Sequence, residues 1–260
     1  MKSTLNSLLV LFGSIILLGS CNKLNDFLPK PKEKLEIYRG TPVDLWKGKA
    51  TGWISVSHLG APVELGLEIT REALEDLPDT NFNVPSIPLP ARAKELTPFE
   101  HIQIEWSAKG HGLAGPNGPV PFGPHYDPRF FMQTLEERLK IPPPTDPSAK
   151  FNVYPPEGYM PSNFFPGLTA LPGIGLHWVD RSGFPGIRKA LILGTYDGEF
   201  TFISPIVLAE EMRSGNSSST AFLQPLFFQE SNTYYPTKYN IYADKAKQKH
   251  YITLSDFVLR

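Results

Sequence analysis

One cysteine, Cys21, occurs in 260 residues. That scarcity excludes an intramolecular disulfide and any cysteine-rich zinc site. The chain has no Gly-x-Ser-x-Gly elbow, no His-Glu-x-x-His pair and no P-loop, so the serine-hydrolase, zincin and nucleotide-triphosphatase signatures are absent. Basic residues form no block, and the formal net charge is −1, which argues against a nucleic-acid partner. No heptad and no internal repeat is visible. No apolar run reaches the roughly 20 residues that a membrane-spanning helix needs. Proline is plentiful instead: 27 residues, about twice the usual ~5 %. Its clustering implies long ordered loops and short strands.

The N-terminus reads as an export signal. Lys2 gives a short basic region, residues 5–18 an apolar one interrupted by Asn6, Ser7, Gly13 and Ser14, and Gly19 and Ser20 a small-residue cleavage point. Cys21 follows directly, and this arrangement resembles the lipobox of bacterial lipoproteins. The resemblance implies removal of residues 1–20 as a signal peptide, acylation of Cys21, and a membrane partner reached through the lipid. Asn22 rather than Asp follows the cysteine, which favours the outer membrane. Residues 21–34 are polar and proline-broken and form a tether. With Cys21 acylated, no thiol remains for catalysis or metal binding. Residues 35–260 are expected to form a single β-rich domain, long enough to hold itself together by burial.

Alternating apolar residues mark most elements of that domain. Residues 49–57 and 63–69 read as a hairpin, and Thr70 as the cap of a helix from Arg71 to Leu77. Residues 81–98 hold four prolines and read as an extended surface connection. The strand 101–106 sets Ile102, Ile104 and Trp106 on one face and His101, Gln103 and Glu105 on the other. Residues 112–124 read as a Gly/Pro loop. Asp127 followed by Pro128 reads as the start of a helix over 129–141. Strands are expected at 175–179 and 189–196, the latter turning through Asp197 and Gly198 into 199–204. A short helix over 207–213, a strand within 220–228 and a closing hairpin around Asp244 complete the pattern. Hairpins outnumber helices, so the fold class is mainly β: an antiparallel sandwich or barrel with a few short helices and long Pro-rich loops.

Six histidines are present. His101 reads as exposed by alternation, and His58 and His250 as solvated in a turn and a hairpin. His111, His125 and His177 lie at strand ends or within an apolar strand, where three neutral imidazoles meeting at a point would suit zinc or another divalent first-row metal. Asp127 or Glu105 would orient a ring. Arg129 would pair with Asp127 or Glu105, or bind an anionic ligand. A plain alternative is a polar core in which the histidines only make hydrogen bonds.

The segments 106–111, 125–131, 175–180 and the hairpin 193–205 together resemble a family of exported bacterial proteins of unknown function. That family carries a Gly-His pair, two histidines four apart, a His-Trp pair, and often a glutamate before the proline of the last hairpin. Gly110, His111, His125, His177 and Trp178 keep the pattern. Arg129 replaces the second histidine of the middle motif and Ser204 the glutamate, which implies a site that gathers His111, His125 and His177 but binds metal weakly. Three classes of function stay open at this point. The first is a binding or assembly lipoprotein with a histidine-lined ligand pocket formed by His111, His125, Asp127, Arg129 and His177. The second is a metal-dependent enzyme using His111, His125 and His177, and the third a structural component of the envelope.

Overall fold

The computed structural model describes residues 34–115, 118–180 and 190–260. The leader, Cys21 and the tether up to residue 33, and with them the lipidation reading, lie outside the described residues.

The chain enters through β1 (Glu36–Arg39), β2 (Val43–Leu45), β3 (Gly48–Val56) and β4 (Pro62–Thr70). The expected hairpin is β3–β4, with Ile54 opposite Leu65. The helix after it is a single 3-10 turn, Arg71–Leu74, and Thr70 makes no side-chain cap. Its hydroxyl instead accepts the Lys49 backbone N–H, a sheet-edge bond that competes with capping.

Residues 81–98 are not a bare connection. They form β5 (Phe82–Pro88) and α1 (Ala91–Leu96). Proline is tolerated in β5 because that strand lies at a sheet edge, paired only with β6 (His101–Ser107), and bulges between Val84 and Ile87. The Gly/Pro loop likewise contains a small hairpin, β7 (His111–Gly115) with β8 (Gly118–Phe122).

The helix expected over 129–141 is the largest correction. Residues His125–Phe131 form β9, and helix α2 is confined to Leu135–Leu139. Its true start is Thr134, whose hydroxyl accepts the Glu137 N–H while the Glu137 carboxylate accepts the Thr134 N–H, a capping box. Upstream, β6 and β9 pair along seven consecutive positions from His101–Phe131 to Ser107–His125, and this ladder overrides the local Asp-Pro signal.

Beyond α2 the chain follows a proline-rich course to β10 (Phe164–Leu171), then β11 (Gly175–Asp180), β12 (Ala190–Tyr196) and β13 (Glu199–Leu208). Asp197 and Gly198 take φ of 52° and 82°, the double left-handed geometry of a tight hairpin. Helix α3 covers Ala209–Ser214, later than expected because β13 runs on to Leu208. The strand within 220–228 shrinks to β14 (Ser218–Ala221). The short pair β15 (Tyr234–Tyr235) and β18 (Val258–Leu259) brackets the closing hairpin, β16 (Lys238–Asp244) and β17 (Lys249–Ser255).

Two antiparallel seven-stranded sheets result. One runs β1-β3-β4-β17-β16-β14 with β2 alongside β3, and the other β10-β11-β12-β13-β9-β6-β5. They stack as a sandwich and no closed barrel forms. Ile54, Leu65, Leu67 and Ile252 from the first sheet join Ile102, Ile104, Tyr126 and Phe130 from the second in one buried cluster. The opposite face of the second sheet carries its own cluster, including Phe122, Phe131, Val179, Ile192, Phe202 and Ile206. That sheet is thus covered on both sides, and His101, Gln103, Asp127 and Arg129, which point away from the main core, are buried while Glu105 is half-buried. No helix among the described residues is long and apolar enough to cross a membrane.

Candidate metal centre

Strand β9 sends alternate side chains to the two faces. Tyr126 and Phe130 enter the main core, while His125, Asp127, Arg129 and Phe131 share the other face. Register adds neighbours there. Glu105 stands opposite Asp127, Gln103 opposite Arg129 and Ser107 opposite His125. On the far side β13 pairs with β9 without a shift from Phe202–Phe131 to Leu208–His125, which sets Ser204 across from Arg129. All four polar residues of β9 and β6 nearest the centre, His125, Asp127, Arg129 and Gln103, are buried.

His111 arrives from the separate β7–β8 hairpin and is exposed. Its Nε2 lies 3.1 Å from Nε2 of His125, and Oδ2 of Asp127 is 3.5 Å from the same nitrogen. These three atoms all fall within 4.8 Å of one another. Zinc bonds of about 2.0–2.2 Å in tetrahedral geometry place ligand atoms roughly 3.3 Å apart, so the spacing fits such an ion.

The tautomers sharpen the fit. His125 Nδ1 faces the Gly123 carbonyl at 2.6 Å, and His111 Nδ1 faces the Gly112 carbonyl at 3.4 Å. A carbonyl only accepts, so the close contact places a proton on Nδ1 of His125, and its neutral ring turns a bare Nε2 toward His111 and Asp127. Two imidazole nitrogens and a carboxylate oxygen then face one another, an arrangement that a shared proton or a bound cation completes. A bonded carbonyl behind His125 is also how proteins orient a ligating imidazole.

The surroundings of His125 favour a proton on its ring. Burial opposes charging the ring, but the hydrogen bond and charge of Asp127 outweigh it and raise the His125 pKa above its ordinary value. Burial likewise works to raise Asp127, yet His125 and then Arg129 hold its carboxyl below the usual range. Arg129 gives its better bond, 2.8 Å, to Glu105 and stands 3.6 Å from Asp127. Asp127 is therefore only loosely engaged by the guanidinium.

His177 is not part of the three-atom group. Its ring meets Phe202 edge-on at 5.5 Å, and Gly194, its partner across the ladder, leaves room for that contact. Burial, then the Arg129 guanidinium, hold its pKa down to about 3, and the charges of Asp127 and His111 reach it too. His177 thus lines the same face as a neutral ring, beyond ligand reach of the other two histidines.

Asp127, expected as a helix cap, a ring-orienting group and a member of the ligand pocket, instead stands with His111 and His125 as a third candidate metal ligand. Period-two spacing of His125, Asp127 and Arg129 was the available signal. His101 is also corrected: it is buried and stacked on Phe131 with centroids 5.1 Å apart. His58 is exposed, and His250 is half-buried in β17.

Fold and site together define an antiparallel β-sandwich with two histidines and an aspartate converging on one face. Residues 57–106 match a family described as "TTHB210-like: Hypothetical protein TTHB210", and the chain is similar to it over that stretch, which runs from the β3–β4 turn through β6. Histidines 111, 125 and 177 lie beyond the matched segment. No curated protein and no solved structure matches the chain.

Proposed function

We propose that this chain is an exported, lipid-anchored envelope protein whose sandwich holds a divalent cation of the zinc class and binds a small ligand beside it. The observation that carries this reading is the meeting of two Nε2 nitrogens and one carboxylate oxygen. His111, His125 and Asp127 would hold the ion, which would supply a Lewis acid with positions left open on the exposed His111 side. The Arg129–Glu105 ion pair stands beside the Asp127 carboxylate. The chain's own residues thereby bind and orient; nothing in their geometry commits them to one reaction.

Metal analysis of protein purified without a histidine tag tests the centre. One zinc per chain is expected, lost in both His125→Ala and Asp127→Ala and kept in His177→Ala. A native protein that takes up no zinc in titration would overturn the reading.

The anchor is tested separately. Cys21→Ser should move the protein from the membrane to the soluble fraction or leave its leader unprocessed, because two or more acyl chains are what hold such a protein stably. Membrane association unchanged by that substitution would remove the lipid anchor from the proposal.

A further inference from the structure

Around Arg129 the buried face is polar yet incompletely bonded. Oε1 of Gln103, Oγ of Ser204 and Nε2 of His177 are buried without a hydrogen-bond partner among the described residues. Gln103 and Ser204 flank Arg129 from the two adjoining strands and are only 4 % and 2 % exposed. Phe202 joins the set, with the Arg129 guanidinium 5.8 Å from its ring centre and the His177 ring against its edge. A buried polar atom left unbonded costs about 1–3 kcal/mol, and three on one face of one sheet mark a place built for something that bonds them.

The chemistry of the three narrows the guest. An amide oxygen accepts only, a hydroxyl donates or accepts, and the neutral His177 ring offers one nitrogen. Their neighbour Arg129 is paired with Glu105 and stands near Asp127, but a divalent metal at the proposed centre would leave the positive charges in excess of those two carboxylates. A guest must therefore bring an anionic oxygen for the cations and at least one hydroxyl for the acceptor.

We infer that this face binds a small hydroxylated carboxylate, with its carboxylate between Arg129 and the His111–His125–Asp127 centre and its hydroxyl on Gln103 and Ser204. This rests on the reading of the site as a metal centre and adds the ligand to it. A bare carboxylate leaves Gln103 unbonded, and a bare diol leaves the positive charge unanswered, so both bind less well.

Calorimetric titrations of the zinc-loaded full chain with lactate, propionate and propane-1,2-diol test the inference. Lactate should bind at least ten-fold more tightly than either of the others. Ser204→Ala should shrink the preference for lactate over propionate several-fold without altering zinc content, and Arg129→Lys should weaken both carboxylates. Zinc bound at full stoichiometry with lactate and propionate indistinguishable would overturn this inference and leave the metal centre standing. If the chain takes up no zinc, the metal reading fails, and the same titrations on the metal-free chain decide the ligand. A lactate preference that Ser204→Ala diminishes sustains it, and no preference ends it.

Discussion

Lowering the pH from 7 to 4.5 should destabilise the protein, and His101→Phe should remove on the order of 2–3 kcal/mol of that loss. His101 is enclosed between β5, β9 and α2. Its ring lies parallel to Phe131, and Nη1 of Arg138 donates to its Nε2 at 3.3 Å. The same guanidinium sits 4.2 Å from the Phe131 ring centre and bonds the Pro85 carbonyl at 3.1 Å. Burial first, then the Arg138 charge, hold the His101 pKa down to about 4, against about 6.5 in an unfolded chain. Between those values the unfolded state binds the extra proton, so stability falls as pH drops from 6.5 toward 4 and levels off below. Phenylalanine keeps the stack on Phe131 and cannot titrate. Urea denaturation of both proteins at pH 7 and pH 4.5 gives the comparison; an equal loss in the two would mean that His101 is not the group responsible. His177, also held neutral, leaves a residual acid slope in the variant.

His101 shows what alternation conveys and what it omits. The strand β6 was legible, and its split into Ile102, Ile104 and Trp106 against His101, Gln103 and Glu105 is the split observed. Alternation does not say whether the second face meets water. Here Phe131, Phe202, Val179 and Ile192 cover it, because strands β9 to β13 carry apolar residues on both faces. Polar residues that would be solvated on a one-sided sheet become a buried network.

The candidate site was legible to a similar degree. The motif order pointed to His111 and His125, and the structure sets their Nε2 atoms 3.1 Å apart. The strand setting of Asp127 was hidden by its own successor, since an Asp-Pro pair reads locally as a helix start. Only pairing with β6, some 20 residues upstream, makes His125–Phe131 a strand, and a nonlocal ladder leaves no trace in a local window. The same holds for β5, whose prolines suit a connection until an edge position and a bulge accommodate them. The tight turn at Asp197 and Gly198 lay at the other extreme. Its requirement for two left-handed residues is local, so it could be read from two letters.

Replacing Gly110 by alanine should lower zinc affinity by about 10- to 100-fold, the range seen when groups supporting a metal ligand are disturbed. Gly110 is the pivot that turns the chain from β6 into the hairpin bearing His111, and its φ is 65°. A Cβ there would stand 1.8 Å from the Phe122 carbonyl oxygen and 2.5 Å from that of Gly123. Both are backbone atoms, so relief requires the hairpin or the Gly123 peptide to move. The Gly123 carbonyl is the acceptor that fixes the Nδ1 proton of His125, and displacing it frees that ring while the hairpin shift carries His111 away. One methyl group thus disturbs two proposed ligands that it does not touch. Gly60→Ala is the control: φ is 84° there, but the nearest atom to an added Cβ is a flexible Arg92 nitrogen at 3.6 Å. It carries the same left-handed backbone cost, about 1–2 kcal/mol, without the collision. Zinc titration of the two variants separates strain from geometry. Equal affinities would show that the Gly110 turn does not position the centre, while a loss confined to Gly110→Ala would tie metal binding to the Gly123 carbonyl and the hairpin it anchors.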